Sequence, residues 1–234
     1  MSSRNAMIVP FLLSITAGYV DTAGFLALQG LFTAHVTGNF VTLGASLVLG
    51  TSGAVAKLLA LPVFCAVVMA VRLLSSALTP RSSLVFEAML SLKLLLLIIG
   101  AVLAIEFGPF QDGDAWQAVI TGMVLVAAMA VQNAVHRLYL GSAPPSTLMT
   151  GTTTQIMIDL ADMIYARDNV ATTQIRSRVA MMSKNVIVFA VGCAAAALLY
   201  AHYNVWCFLV PPLLAGISLL ARLAEPTLKE GSKI

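Results

Sequence analysis

The chain has 234 residues, of which 59% are hydrophobic and 10% charged. A soluble domain carries roughly 25% charged residues, so this composition excludes an ordinary water-soluble globule and predicts an all-α polytopic membrane protein. A crossing helix needs about 20 apolar residues, so a single transmembrane domain accounts for residues 1–234. The formal net charge of +3 is scattered and gives no reason to expect nucleic acid as a partner. The expected partner is the lipid bilayer.

Eight apolar segments follow one another along the chain, and two of them are short and polar. They cover residues 8–28, 37–49, 54–78, 84–105, 115–138, 147–164, 179–201 and 205–220. The second contains Thr37-Gly38 and the sixth contains Thr150-Gly151, and neither has much aliphatic length. We therefore expect about six transmembrane helices and two short polar helices.

The positions of Lys and Arg distinguish two topologies. If all eight segments cross and the N-terminus is cytoplasmic, nine basic residues lie inside and three outside. If the two polar segments re-enter, eleven of the 13 lie inside, with Lys57 outside and Lys93 within the membrane. Short cytoplasmic loops are enriched in Lys and Arg, which favours re-entry, cytoplasmic termini and an outer loop at residues 111–114. Non-helical backbone at membrane depth must be buried or wetted, so a polar cavity is expected.

The two polar segments also indicate an internal repeat. Thr37 and Thr150 are 113 positions apart, which is close to half the chain. Each segment follows a long span with polar side chains near its end, Asp21 in the first half and Gln132-Asn133 in the second. This pattern predicts two weak repeats, residues 8–105 and 115–222, with the inverted topology of many transporters.

Two ionisable residues lie inside predicted spans. Asp21 is flanked by Gly18 and Gly24 in the first span, and an ionisable group there costs about 2.5–3.5 kcal/mol on insertion scales. A functional role is therefore the first hypothesis, and the alternative is a helix-end carboxylate that reaches water. Lys93 lies near the middle of the fourth segment, too deep to reach water. Asp21 is its predicted partner, in either a functional or a purely structural ion pair.

The polar segments present hydroxyl, amide and glycine backbone groups where their helices should begin. A helix start has unsatisfied N–H groups and a partial positive charge, which favour an anion or a strong acceptor. The alternative is that these side chains only cap their helices and bridge neighbouring ones. The predicted solute- or ion-binding residues are Asp21, Thr37, Gly38, Asn39, Thr42, Lys93, Gln132, Asn133, Thr150, Gly151, Thr152 and Gln155.

Asp159 and Asp162 are the only candidates for a metal-dependent active site. They share a helix face at a spacing of three, but the chain then leads into Arg176 and Arg178. This pattern favours a cytoplasmic helix end whose acids are balanced by arginines. The histidines and cysteines lack the spacing of metal ligands. We therefore expect no metal, no cofactor and no enzymatic activity.

Five motifs carry a resemblance to a known family. GYVD at residues 18–21, GF at 24–25 and HVTGN at 35–39 are followed by VQNA at 131–134 and MTGT at 149–152. This order resembles the bacterial YoaK-like family of multi-pass membrane proteins, a family of unknown function. The resemblance covers residues 11–220 and implies a single-domain inner-membrane protein of about six spans, sometimes likened to half of a major-facilitator transporter. Under that comparison, every segment would be an ordinary span.

The leading functional hypothesis is a secondary transporter for a small polar or anionic solute, with Asp21 as the coupling group. A channel would need the same polar lining without a carboxylate that cycles protons. A structural or regulatory membrane subunit is a third hypothesis, and an intramembrane enzyme that uses Asp159 and Asp162 is the fourth. Gly192 and Ala196 are small and four positions apart, which permits close helix contact and predicts a homodimer.

Overall fold

The computed structural model describes residues 7–78, 82–165 and 169–224. In these ranges the chain forms helices α1 (Ile8–Ala27), α2 (Asn39–Leu49), α3 (Ala54–Ala77), α4 (Ser82–Phe107), α5 (Trp116–Tyr139), α6 (Met149–Tyr165), α7 (Asn169–Tyr203) and α8 (Val210–Leu223). Short 3-10 helices, Val36–Gly38 and Asn204–Leu209, precede α2 and α8. The predicted all-α class is confirmed, and the bounds of α1 to α6 agree with the predicted ones within two residues.

Helices α1, α3, α4 and α5 are each long and apolar enough to cross a membrane. A fifth apolar stretch, Thr173–Leu223, holds most of α7 and all of α8, which are separated where Asn204 takes a φ of 48°. If α7 and α8 are counted as two spans, the number of spans is six, as predicted. Large apolar side chains lie on the outside of the bundle, and Leu198 of α7, for example, is 63% exposed. Contact with lipid explains such a surface.

The most extensive helix contact joins α1 to α7, and the two helices run parallel. Ser14 donates a hydrogen bond to the Asn185 side chain at 2.5 Å, and one turn later Gly18 lies against the backbone of Phe189. A side chain at Gly18 would collide with the Phe189 carbonyl oxygen. The prediction that Gly18 permits close backbone approach is confirmed.

Gly192 and Ala196 were the basis for predicting a homodimer, but both face the inside of the chain. Gly192 lies against the Ile15 carbonyl group of α1, and Ala196 is completely buried. These two residues pack α7 onto α1, so they provide no surface for self-association.

Three loops, after α1, before α3 and between α4 and α5, meet at one end of the bundle. We call it the acidic end, because residues 108–115 lie there with their two aspartates. Gln29, just after α1, donates a hydrogen bond to the Phe110 carbonyl at 3.0 Å. The Asp114 carboxylate accepts the Gly53 backbone N–H at 2.9 Å. The end of α1 and the start of α3 are therefore on the same side.

The opposite end carries arginines, and we call it the basic end. The Ser75 and Tyr139 hydroxyl groups, at the ends of α3 and α5, are 2.7 Å apart. The Tyr139 ring stacks on Phe86 of α4, and the Arg222 guanidinium of α8 lies 5.1 Å from the centre of the Phe86 ring. Val9 of α1 belongs to the same apolar cluster, so α1 begins where α3, α5 and α8 finish.

The segment between α1 and α3 enters the bundle and returns. Asp21 lies six residues before the end of α1, about 9 Å deep at 1.5 Å per residue, and it binds the backbone of Thr33 and Ala34. Helix α2 then runs about 16 Å back to the acidic end. We call residues 28–49 hairpin 1. Its path agrees with the re-entry predicted for this segment, and the expectation that every segment is an ordinary span does not hold here.

The segment between α5 and α7 repeats this path from the basic end. Asn133 lies six residues before the end of α5, as Asp21 does in α1, and it accepts a hydrogen bond from the Thr147 hydroxyl at 2.7 Å. Helix α6 then returns, and Asp159 pairs with Arg178 near the start of α7. We call residues 140–165 hairpin 2. The two hairpins enter from opposite ends, as an inverted repeat requires.

The predicted location of both termini concerns residues 1–6 and 225–234, which lie outside the described residues. The neighbouring helix ends, the start of α1 and the end of α8, lie together at the basic end. Their orientation relative to the cytoplasm stays a prediction.

Candidate functional site

Asp21 holds the tip of hairpin 1. Its side chain is 6% exposed. One carboxylate oxygen accepts the backbone N–H groups of Thr33 and Ala34, each at 2.8 Å. The other lies 2.6 Å from Nδ1 of His35. Gly24 makes room for this arrangement, because a Cβ there would lie 2.8 Å from the Thr33 methyl group. The buried acid is thus paired and hydrogen bonded, as burial of a charge requires.

His35 lies between the tips of the two hairpins. Its ring is close to the backbone of Thr147 in hairpin 2, and it lies edge-on to Phe189 of α7. The hydrogen bond to Asp21 raises the pKa of His35 above its ordinary value of 6.5, although partial burial opposes this. Only a protonated imidazole donates from both ring nitrogens. A charged His35 ring therefore has a second N–H to offer to the Thr147 backbone while the first one donates to Asp21.

Asn39 ties the first residue of α2 to the tip of hairpin 1. Its side chain accepts the Phe32 N–H at 2.8 Å and donates to the Phe32 carbonyl at 2.7 Å. Gly38 lies against the Phe32 ring, where a Cβ would come within 3.0 Å. Thr42 bonds the Asn39 carbonyl within the helix at 3.4 Å. The Asn39 side chain does not cap α2, because it binds the loop that precedes the helix.

Gln132 and Asn133 play the corresponding part in hairpin 2. Gln132 is fully buried and donates to the Leu13 carbonyl at 2.8 Å and to the Ser146 hydroxyl at 3.1 Å. Asn133 binds Thr147. Hairpin 2 is therefore anchored to both α5 and α1 by amide side chains.

The structure leaves three predicted residues on exposed outer faces of the hairpins: Thr37, Thr150 and Gly151. Thr152 is buried, and its hydroxyl bonds the Leu148 carbonyl one turn earlier. Gln155 donates to Asp159 at 2.8 Å. The predicted residues that bind the hairpin loops, such as Asp21 and Asn133, therefore lie at the tips. Thr37, Thr150 and Gly151 lie on the exposed surface instead. Solute contact at any of these positions stays a prediction.

Lys93 is only 1% exposed in the middle of α4. No acceptor for its ammonium group lies among the residues that the structure describes. The predicted pair with Asp21 is wrong, because the Asp21 carboxylate is already occupied by His35 and by backbone N–H groups. Gln132 Oε1 is likewise buried without a donor in the described ranges.

Asp159 forms an ion pair with Arg178, which agrees with the predicted helix end balanced by arginines. Arg178 Nε donates to the Asp159 carboxylate at 2.7 Å, and the hydrogen bonds from Arg178 lower the pKa of Asp159. Asp162 is exposed. Within residues 7–78, 82–165 and 169–224, no three His, Cys, Asp or Glu side chains are grouped to hold a metal ion.

Sequence reasoning missed His35 and Thr147, although a spacing signal was present. His35 follows Asp21 by 14 positions and Thr147 follows Asn133 by 14 positions. In both halves, a polar side chain near the end of a span binds the tip of the hairpin that comes next. The shared spacing is a second feature, besides the two Thr-Gly pairs, that agrees with the predicted repeat.

Comparison with known proteins gives the chain a family. It is similar to the "UPF0700 transmembrane protein YoaK" of Bacillus subtilis (strain 168), with 29% identity over 223 residues that cover 91% of this chain and 92% of the relative. No solved structure matches. The family model described as "Protein of unknown function (DUF1275)" matches residues 9–221, a range that includes both hairpins. The chain therefore belongs to this family, as its resemblance to the YoaK-like membrane proteins implied.

Proposed function

We propose that the chain is a secondary transporter of a small polar or anionic solute in the bacterial inner membrane. One observation carries this proposal: two oppositely directed re-entrant hairpins meet inside the bundle, where His35 pairs with Asp21 and lies close to the Thr147 backbone. Discontinuous helices that meet near the midplane form the substrate and ion sites of many inverted-repeat transporters. A purely structural subunit has no comparable need for a titratable group at that point.

Asp21 and His35 form the proposed coupling pair. With His35 protonated and Asp21 ionised, the ring donates to Asp21 and to the Thr147 backbone, and the tips are joined. When His35 loses its proton, one ring N–H remains, so one of the two hydrogen bonds is lost. Proton release would thus separate the hairpins, and proton uptake would join them. Alternating access needs a gate of this kind.

An anionic solute fits the same place for an electrostatic reason. Helices α2 and α6 begin next to the tips, and a helix start carries a partial positive charge. An anion between the tips would compete with Asp21 for the His35 N–H, which connects solute binding to the protonation of the pair. We propose an orientation with the basic end in the cytoplasm, since Arg72, Arg137 and Arg222 lie near that end.

Transport can be tested in liposomes that contain the purified protein. A thermal-shift screen against small metabolites identifies a stabilising solute, and its uptake is then measured with and without an imposed pH gradient. Wild-type protein should accumulate the solute only with the gradient. Asp21→Asn retains an acceptor for the backbone N–H groups, so it should keep the fold and lose accumulation. Asp162→Asn, at an exposed position of α6, is the matched control.

Two results would contradict the proposal. Accumulation by Asp21→Asn at the wild-type rate would eliminate the coupling role of Asp21. Flux that never saturates and ignores the pH gradient would identify a channel.

We also propose that the chain forms a homodimer, through the face of α6 that points away from α7. Thr150, Thr153 and Thr154 lie on this face beside an open groove of about 720 Å³. Thr hydroxyl groups at helix surfaces stabilise helix contacts within membranes. The Thr154 hydroxyl donates to the Thr150 carbonyl within α6 at 3.0 Å, and its oxygen remains an acceptor for a donor on a second copy. A second copy of α6 provides both small side chains and hydroxyl partners.

A further inference from the structure

A groove of about 340 Å³ lies between α3, α5 and the residue that precedes α6. Its walls are mostly apolar and include Phe64, Val68, Leu138 and Leu148. Two guanidinium groups, from Arg72 of α3 and Arg137 of α5, complete the lining on the side of the basic end. A groove with apolar walls and two arginines at one end is complementary to an amphiphile that has a negative headgroup.

Neither arginine forms an ion pair with the residues that the structure describes, so both can bind such a headgroup. Both are exposed, and the ion pairs of the described residues involve other basic side chains. Asn133 also lines the groove, but its amide already binds the Met129 carbonyl and the Thr147 hydroxyl. The arginines therefore supply the strong unused donors of the groove.

The order of residues along α3 gives the groove a direction. Phe64, Val68 and Arg72 are four positions apart, so they lie on one helix face. The arginine is nearest the basic end, and Phe64 is about 12 Å deeper in the bundle. Arg137 is likewise two residues from the end of α5. Charge thus lies at the level of lipid headgroups, and apolar surface continues toward the membrane centre.

We propose that this groove binds one anionic phospholipid, with its phosphate ester between Arg72 and Arg137 and an acyl chain against Phe64 and Val68. Guanidinium groups match phosphate oxygens in pairs of parallel hydrogen bonds. Basic pockets between transmembrane helices bind anionic headgroups by this means. Because Leu148 is adjacent to Thr147, a bound lipid also packs against the anchor of hairpin 2. The bound lipid is expected to stabilise that anchor.

The test uses thermal unfolding of the full-length protein in a neutral detergent. Phosphatidylglycerol, which carries a net negative charge, should raise the unfolding temperature with a saturable dependence on its concentration. Phosphatidylcholine, which has the same phosphate group and a compensating cation, should have a smaller effect. Inorganic phosphate tests whether a free anion is sufficient, and it should produce no comparable rise.

Substitutions in the groove test whether the stabilisation by phosphatidylglycerol arises from binding there. Arg72→Gln and Arg137→Gln should each raise the half-saturating concentration of phosphatidylglycerol about tenfold, the cost of one charge-assisted hydrogen bond. Leu148→Trp should weaken binding with both arginines intact, since its ring fills the groove. Arg176→Gln, at an exposed position of α7, is the matched control and should bind like the wild type.

Two outcomes would overturn the assignment. If the double variant of Arg72 and Arg137 responds to phosphatidylglycerol like the wild type, the lipid binds elsewhere. If inorganic phosphate reproduces the full stabilisation, the site takes a free anion and the lipid assignment is wrong. Loss of transport activity would decide neither question, which keeps this test separate from that of the proposed transport function.

Discussion

At the tip of hairpin 1, one carboxylate satisfies two backbone N–H groups and one imidazole. Removal of the Asp21 side chain would leave the buried N–H groups of Thr33 and Ala34 without an acceptor, at a cost of about 1–3 kcal/mol each. A loss of transport in Asp21→Ala would therefore have two explanations, an unfolded protein and a folded protein without its coupling group. Asparagine preserves an oxygen acceptor and changes the charge, so it separates the two roles of Asp21.

His35 should make the stability of the protein depend on pH. Its folded pKa is raised above the ordinary value of 6.5, so its stabilising contribution is complete below that pH and is lost as pH rises through the folded pKa. Unfolding temperatures of the wild type and of His35→Gln, measured from pH 5.5 to 9, should converge toward alkaline pH. His202→Gln, at an exposed position, should follow the wild type. Parallel curves for wild type and His35→Gln would contradict the assigned ion pair.

Lys93→Met should stabilise the protein. The ammonium group is buried without an acceptor among the described residues, and a charge in that position costs about 2.5–3.5 kcal/mol. Methionine has similar volume and no charge, so the unfolding temperature should rise by several degrees. A fall would show that Lys93 has a partner that stabilises its charge. If the more stable variant also loses transport, Lys93 contributes to function at the expense of stability.

Single residues were the hardest part of the site to predict. The cost of burying Asp21 and Lys93 could be inferred from their positions in apolar runs. The groups that form hydrogen bonds with Asp21 could not be inferred in this way. Its partners lie in a loop that descends to meet it, and the depth of that loop depends on where α1 ends and α2 begins. His35 has no metal-ligand spacing and lies outside the spans. Its pairing with Asp21 could therefore be recognised only from the folded hairpin.

Close packing of α1 on α7 depends on glycine, and Gly192→Ala should show this. The added methyl group would collide with the Ile15 carbonyl, so we expect a loss of about 1–3 kcal/mol in unfolding free energy. Gly216→Ala in α8 is the matched control, because its methyl group meets nothing within 4 Å, and alanine is the better helix former. Equal unfolding temperatures for the two variants would contradict the tight α1–α7 contact.

The helices were more predictable than their contacts. Continuous apolar runs determined α1, α3, α4 and α5 because crossing a membrane requires a minimum length. The start of α7 was predicted ten residues too late, since residues 169–178 are polar and have no apolar pattern. Gly192 was correctly predicted to lie at a close helix contact, but its partner is α1 and not a second copy of the chain. Small residues indicate close packing without indicating which helix packs there.

The topology of the whole molecule can be tested by labelling single cysteines. In a background without Cys65, Cys193 and Cys207, Asp112→Cys at the acidic end should react with an impermeant maleimide added outside intact cells. Gly141→Cys at the basic end should react only after the membrane is permeabilised. The opposite result would reverse the proposed orientation. Reaction of both from outside would contradict opposite placement of the two ends.

Self-association through α6 should be visible as a dimer mass in lipid nanodiscs. Thr153→Trp places a bulky ring on the proposed contact face and should shift the population to monomer. Ile187→Trp, on an exposed face of α7, should leave the dimer intact. Wild-type protein that remains monomeric at high concentration would reject the homodimer.

The length of α7 gives the two hairpins different sensitivities to salt. Ser14 contacts Asn185 and Gly18 contacts Phe189, so residues 169–178 extend about 15 Å beyond the start of α1. Arg178 therefore lies level with the start of α1, where its side chain is 48% exposed and dissolved anions reach its guanidinium group. The Asp21 carboxylate of hairpin 1 is only 6% exposed. Salt at the basic end would thus weaken the Asp159–Arg178 pair of hairpin 2 before it affects the pair that Asp21 forms with His35.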